Sequence, residues 1–176
     1  MGLYSMAVLA GAAITILPTA VSQIVYPKMA EQYGRMENAA DLLRIALRPM
    51  LLTAAVLVPV VAAAWLLAGP AVRLMIPAYV DAVPAIQWTL PVAIIASFAT
   101  ATNVFNVVRR QRLYLVAILV GIVAYGVSLM WLVRESVVLA AFPQAMLIGQ
   151  GVYVAVSYAF IWLLLRRESR EDVSDC

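Results

Sequence analysis

Five long stretches without a single Asp, Glu, Lys or Arg run along this 176-residue chain, and its charges gather in the short intervals between them. The stretches extend from Met1 to Pro27, Pro49 to Val72, Ala82 to Val108, Leu113 to Val133 and Val137 to Leu165. A helix needs about 20 apolar residues to cross the hydrocarbon layer, where the backbone must satisfy its own hydrogen bonds. Each stretch is long enough. The pattern predicts an all-α polytopic membrane bundle over residues 1–165, with spans near 3–27, 49–72, 82–108, 113–133 and 137–165, followed by a charged tail over 166–176. Alternating segments of about 10 residues, the mark of a transmembrane barrel, are not what these runs show.

The first interval has a pattern of its own. Tyr33, Met36, Ala40, Leu43 and Leu47 recur at steps of three and four and fill one narrow helical face, with Glu31, Arg35, Asn38, Asp41 and Arg48 on the other side. This predicts an amphipathic helix over 29–48 at the membrane surface, with basic groups available to anionic lipid heads, or else a linker helix that continues a span into water. Pro49 then reads as the first-turn proline that opens the second span.

Composition agrees with the pattern: 65% of the residues are hydrophobic, against roughly 45–50% apolar usage in a soluble domain. Basic residues alternate between intervals. Lys28, Arg35, Arg44 and Arg48 follow the first span; Arg73 follows the second; Arg109, Arg110 and Arg112 the third; Arg134 the fourth; Arg166, Arg167 and Arg170 lie in the tail. Lys and Arg are retained on the cytoplasmic side. The N-terminus is therefore expected outside and the C-terminus in the cytoplasm. The first stretch has no basic flank before it, which argues against a secretory signal and for further helices upstream.

Without charge inside the spans, polar character is carried by hydroxyls and amides. Thr15, Thr19, Ser22 and Tyr26 fall on one arc of the first span, with Gln23 at its edge. Gln150, Tyr153 and Ser157 repeat the spacing on the last span, and Gly121, Tyr125 and Ser128 on the fourth; Thr102, Asn103 and Asn106 lie near the end of the third. Two readings stand side by side. Such groups can bond neighbouring helices or their own backbone, or they can line an aqueous cavity for a polar substrate. Pro18, Pro59, Pro91 and Pro143 lie within spans, where each removes a helix hydrogen bond; they are packing kinks or hinges.

Several chemistries are excluded. There is no histidine and a single cysteine, Cys176, so an internal disulfide, a thiol metal site and histidine-based catalysis have no residues to use. The spans hold no carboxylate for proton relay. Phosphate loops and nucleophile elbows are missing, and the dispersed basic residues do not form a nucleic-acid footprint. No enzymatic role, cofactor, metal or nucleic-acid partner is expected of these residues.

The opening stretch resembles a known family. "GLYSMA", a mid-helix proline at Pro18, and then "YPKMAEQYG" are similar to the segment that opens the second half of oligosaccharide flippases, the Wzx-like branch of the multidrug/oligosaccharidyl-lipid/polysaccharide exporter superfamily. The family pattern is roughly G-x-Y-x-x-A, a span, then Y-P-(R/K)-x-(A/S), and Gly2, Tyr4, Ala7, Tyr26, Pro27, Lys28 and Ala30 stand at those places. "IPAYVDAV", through Pro77, Tyr79 and Ala82, and "NVFNVVRRQR" are further echoes. Gly149, Gln150 and Gly151 depart from the more usual Gly-Ala pairs near the end.

The resemblance implies the C-terminal half of a twelve-helix, two-lobe transporter whose N-terminal lobe is a missing partner. It implies alternating-access translocation of a lipid-linked oligosaccharide or polysaccharide precursor, among membrane lipids, across the bacterial plasma (inner) membrane for cell-surface polysaccharide assembly such as lipopolysaccharide. The cavity would then be lined by Thr15, Thr19, Ser22, Tyr26, Asn103, Asn106, Gln150, Tyr153 and Ser157. Arg44, Arg109 and Arg110 would meet the headgroup phosphates, and Pro18, Pro59 and Pro91 would serve as hinges. The alternatives are a multidrug or small-solute exporter of the same superfamily and a non-transporting membrane scaffold subunit.

Overall fold

The protein, seen in a computed structural model, is described over residues 2–36, 39–135 and 138–174, with side chains described for 4–34, 43, 45–134 and 139–166. Among these residues the structure is all α-helical, and five helical segments are long and apolar enough to cross a membrane. It is an integral membrane helix bundle. Two long helices, α1 (Gly2–Met36) and α2 (Ala39–Met75), precede a broken third segment. That segment begins with a 3₁₀ turn at Pro77–Ala82 and continues as α3 (Val83–Thr89), α4 (Val92–Phe98), a second 3₁₀ turn at Ala99–Thr102 and α5 (Asn103–Val107). A hairpin of α6 (Gln111–Glu135) and α7 (Val138–Ser174) completes the bundle.

The segments alternate in direction. At one end Ala7, Ala68, Ala82, Ala85 and Ile86 form a buried cluster joining the start of α1, the end of α2 and the start of the third segment. Four alanines among five residues let these backbones come close, which is how helices gain van der Waals contact where lipid removes the hydrophobic drive. At the other end Val25, Met29, Ala46, Met50, Ala101 and Val104 form the second cluster. Exposed Lys28, Arg48, Arg109, Arg110, Arg112 and Arg166 surround that end, whereas exposed Arg73, Asp81 and Arg134 lie at the opposite one. The Arg166 guanidinium covers the Trp162 ring at 3.8 Å, as expected of an aromatic and a cation that meet at a membrane interface.

Of the two readings of 29–48, the separate surface helix is corrected and the helix that continues a span is the one found. Residues 29–36 continue α1 and residues 39–48 open α2, so Pro27 and Pro49 both lie inside helices and Pro49 does not start the second span. Tyr33, Leu43 and Leu47, three residues of the apolar face, pack inward against the basic-end cluster instead of facing lipid heads. Met36 and Ala40 have no described side chains, and Asn38 lies outside the described residues. Likewise α7 continues into the expected tail as far as Ser174.

The third span also differs from expectation. It starts five residues earlier, at Pro77, and is not one helix: Leu90 and Pro91 form a turn between α3 and α4, and the helix tightens again at Ala99–Thr102. Pro91 supplies no N–H, so the ladder must lapse there; Ala93 and Ile94 bond back to Leu90 and Pro91 at 3.2 and 3.0 Å. Pro18 and Pro59 lie within helices assigned without interruption. The broken segment is also the most buried of the five, as irregular backbone at membrane depth must be when lipid surrounds the bundle.

Candidate functional site

The site is a groove whose floor is the broken segment and whose two walls are α1 and the α6–α7 hairpin. The hairpin explains itself residue by residue. A Cβ built on Gly121 would stand 2.8 Å from Tyr153 Cβ and 3.1 Å from the Gly149 carbonyl; one built on Gly149 would stand 2.8 Å from Tyr125 Cβ and 3.0 Å from the Gly121 carbonyl. The contact is reciprocal: each glycine faces the other's carbonyl and the tyrosine four residues beyond it. Only residues without Cβ allow this approach.

The reciprocity is written twice in the sequence. "YLVAILVGIVAY" over 114–125 and "FPQAMLIGQGVY" over 142–153 share an aromatic, a buried alanine, a leucine, the glycine and a final tyrosine at the same offsets. Placed on antiparallel helices, equal spacing gives a local two-fold relation about the glycine contact. It delivers Tyr114, Tyr125, Phe142 and Tyr153 to one surface, where all four line a cavity of about 550 Å³.

That cavity continues at both ends. Through Ala96, Ala99, Tyr114 and Tyr153 it adjoins a second space of about 270 Å³, lined also by Thr19, Ser22, Gln23, Thr100, Thr102 and Asn103. Through Tyr4 and Met146 it adjoins a third of about 280 Å³ beside Gly11, Thr15 and Thr89. Tyr114 and Tyr153 meet edge to face, with centroids 6.4 Å apart, where the aromatic and polar parts join. Tyr4 and Phe142, centroids 5.6 Å apart, bridge α1 to α7 at the end away from the basic residues.

Hydrogen bonds hold the irregular floor. The Tyr153 hydroxyl donates to Thr102 Oγ1 at 2.9 Å, while Thr102 donates to the Ala99 carbonyl at 2.7 Å. One turn further along α7, the Tyr158 hydroxyl donates to the Phe98 carbonyl at 3.2 Å and lies 2.9 Å from Met50 Sδ. These two tyrosines clamp the stretch where α4 passes into the 3₁₀ turn, each bond giving about 0.5–1.5 kcal/mol net. Across the groove Asn103 Nδ2 donates to Ser22 Oγ at 2.9 Å, tying the polar arc of α1 to the floor. Thr15 and Thr19 donate to the Gly11 and Thr15 carbonyls at 2.8 Å, so their hydroxyl oxygens retain acceptor capacity toward the groove.

Six of the nine residues expected to line a cavity border the groove: Thr15, Thr19, Ser22, Asn103, Gln150 and Tyr153. The other three do not border these spaces. Tyr26 is exposed further down α1, Asn106 is half-buried in α5, and Ser157 is fully buried, its Oγ without a hydrogen-bond partner among the described residues. Arg109 and Arg110 are exposed at the turn into α6, and the side chain of Arg44 lies outside the described residues. Arg109 has φ 57°, the left-handed position that closes α5, with the Arg110 N–H bonded to the Phe105 carbonyl at 2.9 Å. Tyr4, Tyr114, Phe142 and Thr100 were not among the expected lining. The twelve-residue repeat finds Tyr114 and Phe142, and steps of four, three and four lead back from Thr15 through Gly11 and Val8 to Tyr4; neither signal reaches Thr100.

No family model matches the chain, and no curated protein or solved structure does either.

Proposed function

We propose that this chain forms one lobe of a translocation path that carries the hydroxyl-rich head of a lipid-linked oligosaccharide or polysaccharide precursor across the bacterial inner membrane, for cell-surface polysaccharide assembly. The observation that carries the proposal is the groove: a mostly apolar, aromatic-lined space that runs into a smaller one walled by hydroxyls and amides, set among five segments long and apolar enough to cross a membrane and floored by a broken one. A sugar head in bare hydrocarbon would lose its hydrogen bonds at a cost of several kcal/mol per unsatisfied group, and a polar wall removes that cost. The resemblance of the opening segment to oligosaccharide flippases points to the same substrate class.

On this reading the open side of the groove faces a second helical lobe, and the lipid tail remains outside in the bilayer. Arg109 and Arg110 attract the headgroup phosphates at the basic end, which faces the cytoplasm. The interruption at Leu90–Pro91 lets the floor bend as access alternates, a role that broken helices suit. The chain performs no covalent chemistry.

Inner-membrane vesicles from producing cells, which contain any partner lobe, provide the assay. Flipping of a fluorescent lipid-linked saccharide should exceed that of vesicles lacking the chain, and Thr19→Leu with Gln23→Leu, both exposed on the groove wall, should abolish the excess while leaving the amount of folded protein unchanged. Thr19 is exposed, so Thr19→Leu alone tests the wall without disturbing packing. No excess over control vesicles, or full flipping by the double variant, would refute the proposal.

A further inference from the structure

The groove has an electrostatic character that narrows its ligand. Among the described residues, no Asp, Glu, Lys or Arg lines any of its three spaces. The described charges sit at the two ends of the bundle, exposed to water: Lys28, Arg48 and Arg109 at one, Arg73 and Asp81 at the other. What the groove offers is aromatic rings at Tyr114, Tyr125 and Tyr153 and neutral hydrogen-bonding groups at Thr19, Asn103 and Gln150. Aromatic rings accept apolar C–H surfaces, and amides and hydroxyls pair with hydroxyls without a net charge.

A carboxylate brought to such a wall would exchange water for neutral partners in a medium of lower dielectric, with no cation on this wall among the described residues to receive it. The penalty falls on the ionised form alone. An uncharged sugar ring of the same size meets no such barrier.

We infer that this groove selects the uncharged sugar rings of its substrate and discriminates against acidic ones. The inference rests on the saccharide reading above and adds the chemical class of the sugars. The two-fold relation within the hairpin strengthens it, because the two repeats present matched aromatic residues along the groove and neither introduces a charge.

Binding to the full chain in lipid nanodiscs tests this with three probes: maltotriose, the similarly sized trisaccharide of galacturonic acid, and the methyl ester of that acidic trisaccharide. At pH 7 the acid should bind at least about tenfold more weakly than maltotriose, and the ester, which restores neutrality at nearly the same shape, should recover most of that loss. Thr19→Lys, at an exposed position on the groove wall, should narrow the difference by improving binding of the acid. Equal or tighter binding of the acid to the unmodified protein would overturn the inference and leave the saccharide reading intact. Failure of all three probes to bind would remove the saccharide reading and the inference with it.

Discussion

Replacing Gly121 by alanine tests the geometry on which the groove wall depends. The added Cβ would approach Tyr153 Cβ at 2.8 Å and the Gly149 carbonyl oxygen at 3.1 Å, and Tyr153 Cα at 3.4 Å. None of these is the far end of a flexible side chain. The helices must separate, at an overpacking cost of about 1–3 kcal/mol. Alanine also raises helix propensity by about 0.8–1.0 kcal/mol, which offsets part of that cost. Gly126, one and a half turns away on the same helix, has open space around its missing Cβ, so Gly126→Ala keeps the propensity gain alone. The difference in unfolding free energy between the two variants therefore isolates the clash, and should be about 1–3 kcal/mol in favour of Gly126→Ala. Gly149→Ala should behave like Gly121→Ala. The double variant should lose less than the two singles combined, because helices already moved apart accommodate the second methyl. Reversible unfolding in mixed micelles, followed by far-UV circular dichroism, provides the measurement. Equal stability of Gly121→Ala and Gly126→Ala would refute the close reciprocal contact.

Further outcomes follow from single residues. Arg109→Gly should stabilise the protein by about 0.5–1 kcal/mol in the same unfolding assay, since glycine occupies φ 57° without the penalty that a Cβ incurs. Tyr153→Phe should destabilise by about 0.5–1.5 kcal/mol through loss of the bond to Thr102, with Thr102 still satisfied by the Ala99 carbonyl. Asn103→Leu should separate α1 from the floor by removing the bond to Ser22; faster hydrogen exchange across 18–26, measured by mass spectrometry, is the expected readout, and unchanged exchange would count against that tie.

The fold was largely legible because membrane spans depend on one dominant variable, the length of charge-free apolar sequence. Five runs became five crossing segments. What the runs could not show was where helices stop, since no proline lies between Lys28 and Met36 and charge alone does not break a helix; α1 runs on past Lys28 to Met36. The lapse at Leu90–Pro91 was foreshadowed by the proline. Its difference from Pro18 and Pro59 was not, for a proline's effect depends on how neighbouring helices pack around it.

The candidate site was legible in part. The arc from Thr15 to Ser22 borders the groove because helical periodicity is local, but Tyr26, on the same arc, lies beyond the floor that would complete a cavity around it. Ser157 continues the spacing of Gln150 and Tyr153 yet is enclosed by packing, a matter of tertiary contact that spacing cannot encode. Tyr114 and Phe142 required the twelve-residue repeat to be noticed across 28 positions, since each alone looks like one more apolar residue in a span.

A groove that carries a polar head across the membrane, as proposed, must hold water. Single cysteines placed in a Cys176→Ser background, at Thr19 and Gln150 in the groove and at Leu9 and Leu119 on outward faces, test it most directly. A small membrane-impermeant thiol reagent applied to sealed vesicles should modify the cysteines at Thr19 and Gln150 and leave those at Leu9 and Leu119 unmodified. A neutral trisaccharide should slow the groove reactions. Modification of all four positions alike, or of none, would contradict the account.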